Sequence, residues 1–272
     1  FYLFTISILL FLNVQNSFSD IKQNNSFKWE KEIKNLIFNE NEKIFDGNHL
    51  MQLETPYRAL DAAIVPISLK FNIQQNFDNY VKTVIFVADE NPSPIIGKFI
   101  LTPKSGNADI GTKIRIDRYT YVRAIAEMND GKKFMVANYV KAAGGCSAPS
   151  LADMDTVMER LGKMKMKLIK TGEIGQLNKA QFIISHPNFS GLQFSQLTRT
   201  EIPAHFVNSV KIKQDNETIL EIEADISMSE DPSFTFFYKN TGGSLNVKVT
   251  DSDGSVFTKN WPVNDNISRL HY

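Results

Sequence analysis

From residue 62 onward, apolar and polar positions alternate in short runs broken by turn residues, the pattern of β-strands. In the run 63–73 the apolar members are Ile64, Ile67, Leu69, Phe71 and Ile73, alternating from Ile67 on. Residues 83–89 (TVIFVAD) are almost continuously apolar, as a strand buried on both faces requires. Asn91-Pro92-Ser93-Pro94 ends that run. Strand-like segments follow at 95–102, 113–117, 121–129 and 133–142, with the hairpin signal Asn129-Asp130-Gly131 between the last two. A second series lies at 176–187, 202–214, 217–227, 233–239, 244–251 and 255–261, with Asp251-Ser252-Asp253-Gly254 as a further turn.

Two stretches carry helical spacing instead. Residues 27–39 place Trp29, Ile33, Leu36 and Ile37 on one stripe. Residues 151–170 are Met-rich, with Met154, Val157, Met158 and Leu161 on one face, a pattern of core or linker packing rather than of a cofactor site. The segment 40–60 is polar and irregular. The rhythm predicts an all-β chain: one β-sandwich over 27–146, a partly helical linker over 147–175, and a second sandwich over 176–262. No close internal repeat relates the halves. Sandwiches in tandem can pack face to face, and residue 146 is expected at the seam.

Phe1 to Leu12 form an apolar run too short to span a bilayer. Ser17-Phe18-Ser19 follows in a small-x-small arrangement, so residues 1–19 read as a secretory signal cleaved before Asp20. The run lacks a positive n-region and starts at Phe, so residues ahead of it are expected. Later stretches are too short and too polar for a membrane helix, so the mature chain is expected to be exported, free of the membrane and periplasmic. Basic and acidic residues balance at 30 each, which gives no reason to expect nucleic-acid or anionic-membrane binding.

Export gives weight to Cys146, the one cysteine of the chain. A lone thiol closes no internal disulfide and in an oxidising compartment invites mixed disulfides. It sits in Ala143-Gly144-Gly145-Cys146-Ser147-Ala148-Pro149, where two glycines free the backbone and small residues leave the sulfur unshielded. This predicts an exposed thiol on a flexible arm, with Gly144 and Gly145 supplying the flexibility. No histidine neighbours Cys146 in sequence, and Lys141 is too far along an extended arm to activate it, so no nucleophile–base pair is expected. The four histidines, His49, His186, His205 and His271, form no metal-binding spacing, and neither a phosphate loop nor a nucleophile elbow is present. His186 reads as a turn-capping or interface residue. Asp89 and Glu90 read as a solvated strand end, Ser229-Glu230-Asp231-Pro232 as a turn, and Trp29 and Trp261 as packing residues. Neither a cofactor nor a metal is expected.

Several of these elements resemble a known pair of families. Val65-Pro66-Ile67, Asp89-Glu90-Asn91-Pro92-Ser93-Pro94, the pattern from Arg115 to Gly131 and above all Val140-Lys141-Ala142-Ala143-Gly144-Gly145-Cys146 resemble SoxY, the sulfur-carrier subunit of bacterial thiosulfate oxidation. Ile184-Ser185-His186-Pro187 with Ser190-Gly191, Ile202-Pro203, Asp231-Pro232-Ser233-Phe234 and Asp251-Ser252-Asp253-Gly254 resemble SoxZ. Their fusion in one chain is similar to the SoxYZ-like carriers associated with quinoprotein dehydrogenases, over roughly residues 30 to 262. The resemblance implies two immunoglobulin-like sandwiches and a non-enzymatic role. It implies that Cys146 carries a sulfur intermediate covalently for periplasmic oxidoreductases: sulfur-oxidising enzymes, a quinoprotein dehydrogenase or c-type cytochromes. An accessory or assembly subunit of a quinoprotein dehydrogenase and cytochrome c system is the other reading it leaves open. Ser147-Ala148 stand where the family has glycines, Pro149 follows, and the arm is internal rather than terminal, so it swings less freely.

Overall fold

A computed structural model describes residues 28–149, 154–195 and 198–262. The expected signal segment 1–19 lies outside them. Fifteen strands run β1 (Ile44–Asp46), β2 (Met51–Glu54), β3 (Val65–Phe71), β4 (Val81–Ala88), β5 (Ile95–Leu101), β6 (Ile110–Ile114), β7 (Thr120–Met128), β8 (Lys133–Val140), β9 (Met164–Lys170), β10 (Leu177–Ile184), β11 (Val207–Gln214), β12 (Glu217–Ala224), β13 (Ser233–Lys239), β14 (Leu245–Asp251) and β15 (Val256–Trp261). The alternation read from the sequence is visible in the burial: Val65, Ile67, Leu69 and Phe71 point inward along β3, while Pro66 and Lys70 point out. The near-continuous apolar run of β4 lies mid-sheet, between β5 and β7.

Nine strands form one sheet in the order β1-β8-β7-β4-β5-β12-β11-β14-β15, and six form the other, β2-β3-β6-β13-β10-β9. Both sheets contain strands from both halves of the chain. The halves therefore do not pack face to face; they join edge to edge. Antiparallel pairing of β5 with β12, from Gly97 opposite Ala224 to Leu101 opposite Leu220, carries the large sheet across. In the small sheet Gly111 of β6 meets Thr235 of β13. The reason is that β5 and β12 would otherwise each leave a row of backbone donors and acceptors unpaired in an apolar setting. One apolar core results: Phe86 packs edge-on to Phe99 at 5.4 Å, and Phe99 of the first half meets Phe234 of the second at 6.0 Å.

Three local readings change. The segment 40–60 holds β1 and β2; β2 is short but alternates, with Met51 and Leu53 buried and Gln52 out. The expected helix over 151–170 is helical only at Met154–Glu159. Met164–Lys170 is β9, because Met164, Met166 and Leu168 recur every second residue between lysines and seat one face on the core. The N-terminal helical segment belongs to a separate unit, residues up to Glu42. It begins as a π-helix over Trp29–Ile33, continues as an α-helix over Lys34–Ile37, and buries Trp29 and Ile33. Its wider first turn rotates Leu36 out of the predicted stripe, leaving it exposed.

Candidate functional site

Cys146 follows β8 by six residues, and its loop lies where the two halves meet. The expected exposure is overturned: Cys146 is 1% exposed. The loop is fastened by its backbone. Gly144 and Gly145 donate their N–H groups to the carbonyls of Asp117 (2.8 Å) and Ile116 (2.9 Å). From the second half, the Ser190 hydroxyl donates to the Cys146 carbonyl, and Gln193 Nε2 donates to the Ala148 carbonyl at 2.8 Å. Arg115 Nη1 donates to the Gly145 carbonyl at 3.2 Å.

The two glycines serve different ends. Gly144 adopts φ +81°, a left-handed conformation that favours glycine, with open space where a side chain would stand. Gly145 is pressed into the fold: a Cβ there would fall 2.0 Å from the Ala62 carbonyl oxygen and 2.8 Å from that of Ile116. Gly145 is here a close-approach residue rather than a flexible joint. A double glycine reads the same in sequence for either purpose.

Burial sets the chemistry of the thiol. It pushes Cys146 up to about 12, Asp117 adds to the rise, and Arg115 opposes it. A thiol so shifted is protonated at neutral pH. Among the described residues no hydrogen bond joins its sulfur to a base.

Arg115, which sequence reading did not single out, sits at the centre of the seam. Arg115 is 3% exposed. Besides Gly145 it donates through Nε to the Met228 carbonyl (3.3 Å) and through Nη2 to the Asn188 carbonyl (3.3 Å). Three strand-end segments are thus held by one side chain. Nothing in the local pattern marks Arg115 as central, since its partners are all main-chain atoms distant in sequence.

His186 is buried in the second half, where the structure brings it to His205 (ring centroids 4.6 Å apart) and Asp251. Sequence spacing could not show this cluster. The ligand-type atoms of the three lie within 4.8 Å of one another, yet the hydrogen bonds argue against a metal. The Asn188 N–H points at His186 Nδ1 at 3.1 Å, so that nitrogen carries a lone pair and the neutral ring has its proton on Nε2. A metal ligand needs the reverse, a lone pair on Nε2 and a donor at Nδ1. Nε2 instead faces Asp251 Oδ2 at 3.6 Å and has no hydrogen-bond partner. His205 Nε2 reaches the same oxygen at 3.0 Å. The reading of His186 as a turn cap fits this geometry.

Burial, then the neighbouring His205, pull His186 down to about 4, although Asp251 acts the other way. The unfolded chain binds this proton near pH ~6.5, so stability falls as pH drops from there through about 4, by about 3 kcal/mol in all. For Asp251, burial pushes up, but hydrogen bonds from His205 and Ser255 outweigh it and hold the carboxyl low, which adds acid sensitivity of the same sign. Thermal midpoints measured between pH 7 and 4 should fall steeply. His186→Asn keeps an acceptor for the Asn188 N–H and should flatten that slope.

Asp89 is not the solvated strand end expected. It is fully buried and bound by Arg123, Nη2 to Oδ2 at 2.6 Å and Nε to Oδ1 at 2.8 Å. Asn91 is buried too, its side chain donating to the Arg115 carbonyl (2.8 Å) and accepting from the Asp117 N–H (2.9 Å). The run 89–94 therefore braces the segment that holds the Cys146 loop.

Comparison with known proteins fits this partition. The family model described as sulfur oxidation protein SoxY matches residues 35–146, and that described as sulphur oxidation protein SoxZ matches residues 166–262. None of the curated proteins matches the chain. Among solved structures, the sulfur carrier protein SoxY from Chlorobium limicola f thiosulfatophilum is 17% identical, covering 44% of this chain and 96% of its own, with a TM-score of 0.36. A superoxide reductase (neelaredoxin) variant from Ignicoccus hospitalis is 12% identical, over 35% of this chain and 81% of its own, with a TM-score of 0.32. The assignment rests on the two family models, which together take in most of the chain, the first ending at Cys146: the chain carries a SoxY domain over residues 35–146 followed by a SoxZ domain over residues 166–262.

Proposed function

We propose that this protein is a sulfur carrier of sulfur oxidation, holding an intermediate covalently on Cys146 and presenting it to partner enzymes. The observation that carries the reading is that the SoxY match ends at residue 146, the one cysteine of the chain. Partners are sulfur-oxidising enzymes or other oxidoreductases, quinoprotein dehydrogenases and c-type cytochromes among them, met in the periplasm after export. The carrier itself is not an enzyme.

The buried thiol makes carrying a two-state process. Closed, the sulfur is protonated and protected from stray disulfide exchange. Open, it returns to an ordinary thiol, part of it thiolate, able to attack disulfide or sulfane sulfur. The loop is anchored through its backbone at five hydrogen bonds, each with a net contribution of about 1 kcal/mol, so a docking partner has a modest barrier to overcome. A second reading, an accessory or assembly subunit of a dehydrogenase, draws on the same burial: a sulfur that never leaves the seam needs only to pack.

Intact-mass measurement of the protein purified from its native host separates the two. The carrier reading expects mass additions of sulfur, sulfite or thiosulfate on Cys146, and loss of sulfur-compound oxidation in Cys146→Ser. A uniformly unmodified Cys146 together with full function of Cys146→Ser rejects the carrier and leaves the accessory subunit.

A further inference from the structure

Arg115 and Arg123 are the two arginines buried in the described core. Arg123 is neutralised by the Asp89 carboxylate. Arg115 forms no ion pair with any described carboxylate, and its three hydrogen bonds all go to carbonyls, at 3.2–3.3 Å. Glu230 and Asp61 act on it from beyond ion-pair distance, and a buried cation with no carboxylate in contact is costly. Neutral carbonyls at that distance sit at the long end of the hydrogen-bond range and repay little of it.

The placement of those three carbonyls is informative. Two belong to the second half, Asn188 and Met228, and hold the guanidinium where it is. The third belongs to Gly145, the residue before Cys146. When the loop leaves, the thiol is exposed and Nη1 loses its acceptor in the same movement, while Nε and Nη2 stay tethered. A planar donor fork then stands with one arm vacant at the place the loop has left, a geometry suited to oxyanions.

We propose that Arg115 is the anion-recognising residue of the carrier: in the open state it takes the oxyanion end of the sulfur donor, or of the adduct on Cys146, and so selects negatively charged sulfur species over neutral ones. This rests on the carrier reading of Cys146. The closed loop is then self-plugged, with the Gly145 carbonyl occupying the donor that the anion takes.

Two thiol reagents test the selection. With tetrathionate, the Cys146 thiolate attacks an inner sulfur, the central S–S bond breaks, thiosulfate leaves with the electron pair, and Cys146 keeps –S–S–SO₃⁻. With neutral methyl methanethiosulfonate, the thiolate attacks the methylthio sulfur, methanesulfinate leaves, and Cys146 keeps –S–S–CH₃. The readout is the ratio of the two rates, from which any general loosening of the loop cancels. Arg115→Gln should lower the tetrathionate-to-neutral ratio about tenfold, and Arg115→Lys should retain most of it, given the strength of charge-assisted hydrogen bonds. Wild-type protein should also show a ratio about tenfold above that of a synthetic peptide spanning residues 143–149, which lacks the guanidinium. This comparison stands if Arg115→Gln does not fold. A wild-type ratio equal to the peptide's, or a ratio unmoved in folded Arg115→Gln, overturns the role of Arg115. Either result leaves the carrier reading untouched, because that is decided by adducts on Cys146 from the host.

Discussion

Gly145→Ala should make Cys146 react with a neutral alkylating reagent at least about a hundredfold faster, while global stability falls by about the cost of opening the loop, about 3–5 kcal/mol. Two independent arguments give that size. The closed loop is held by five backbone hydrogen bonds contributing about 1 kcal/mol each, so the open form is populated at about one part in a hundred to one in several thousand. The alanine Cβ would stand 2.0 Å from the Ala62 oxygen, a backbone atom that cannot turn aside. The closed form is thereby excluded. The closed thiol, pushed to about 12, also has a thiolate fraction roughly a thousandfold below that of an ordinary cysteine, and opening restores it. Gly144→Ala is the matched control: it meets no atom within 4 Å and incurs only the strain of a left-handed φ, about 1 kcal/mol, so its thiol should stay slow. Equal rates for both variants would refute the close-approach role of Gly145.

Asp89→Ala should be among the most damaging single changes to the fold, at about 3–5 kcal/mol, because it strands the Arg123 guanidinium inside the sheet without its counter-ion. The pair is bidentate and nearly dry, with side chains 0% and 8% exposed. Replacing both members, as in Asp89→Ala with Arg123→Met, should recover much of the loss, since Met fills volume and leaves no charge behind. Chemical denaturation of the two single variants and the double variant gives the coupling energy directly. Additive losses would mean that the two residues act apart.

Strand positions were largely legible because alternation in a half-buried sheet is a local signal, and β3, β4, β7 and β13 fall where the pattern puts them. β9 reads as helix in the sequence because Met and Lys favour helices locally, and only its pairing with β10 makes the two-residue period decisive. The join between halves was not legible, since strand pairing leaves no mark on either strand alone. At the site, sequence singled out Cys146 as a type and a place but not its state. Burial of Cys146 depends on Ser190, Gln193 and Arg115, which approach it through space. The His186–His205–Asp251 cluster escaped for the same reason. Asp89 misled because an acid before Asn-Pro usually faces water, and Arg123, its buried partner, lies a strand away.

The shared sheets bear on how such a protein can be made. Split from each other, the halves would expose β5 and β12 as raw, sticky borders rich in Ile, Leu and Phe, of the kind that templates aggregation. Linkage in one polypeptide keeps the local concentration of each border for the other in about the millimolar range. Each molecule then completes its own seam in cis, in strict one-to-one stoichiometry, without having to find a mate.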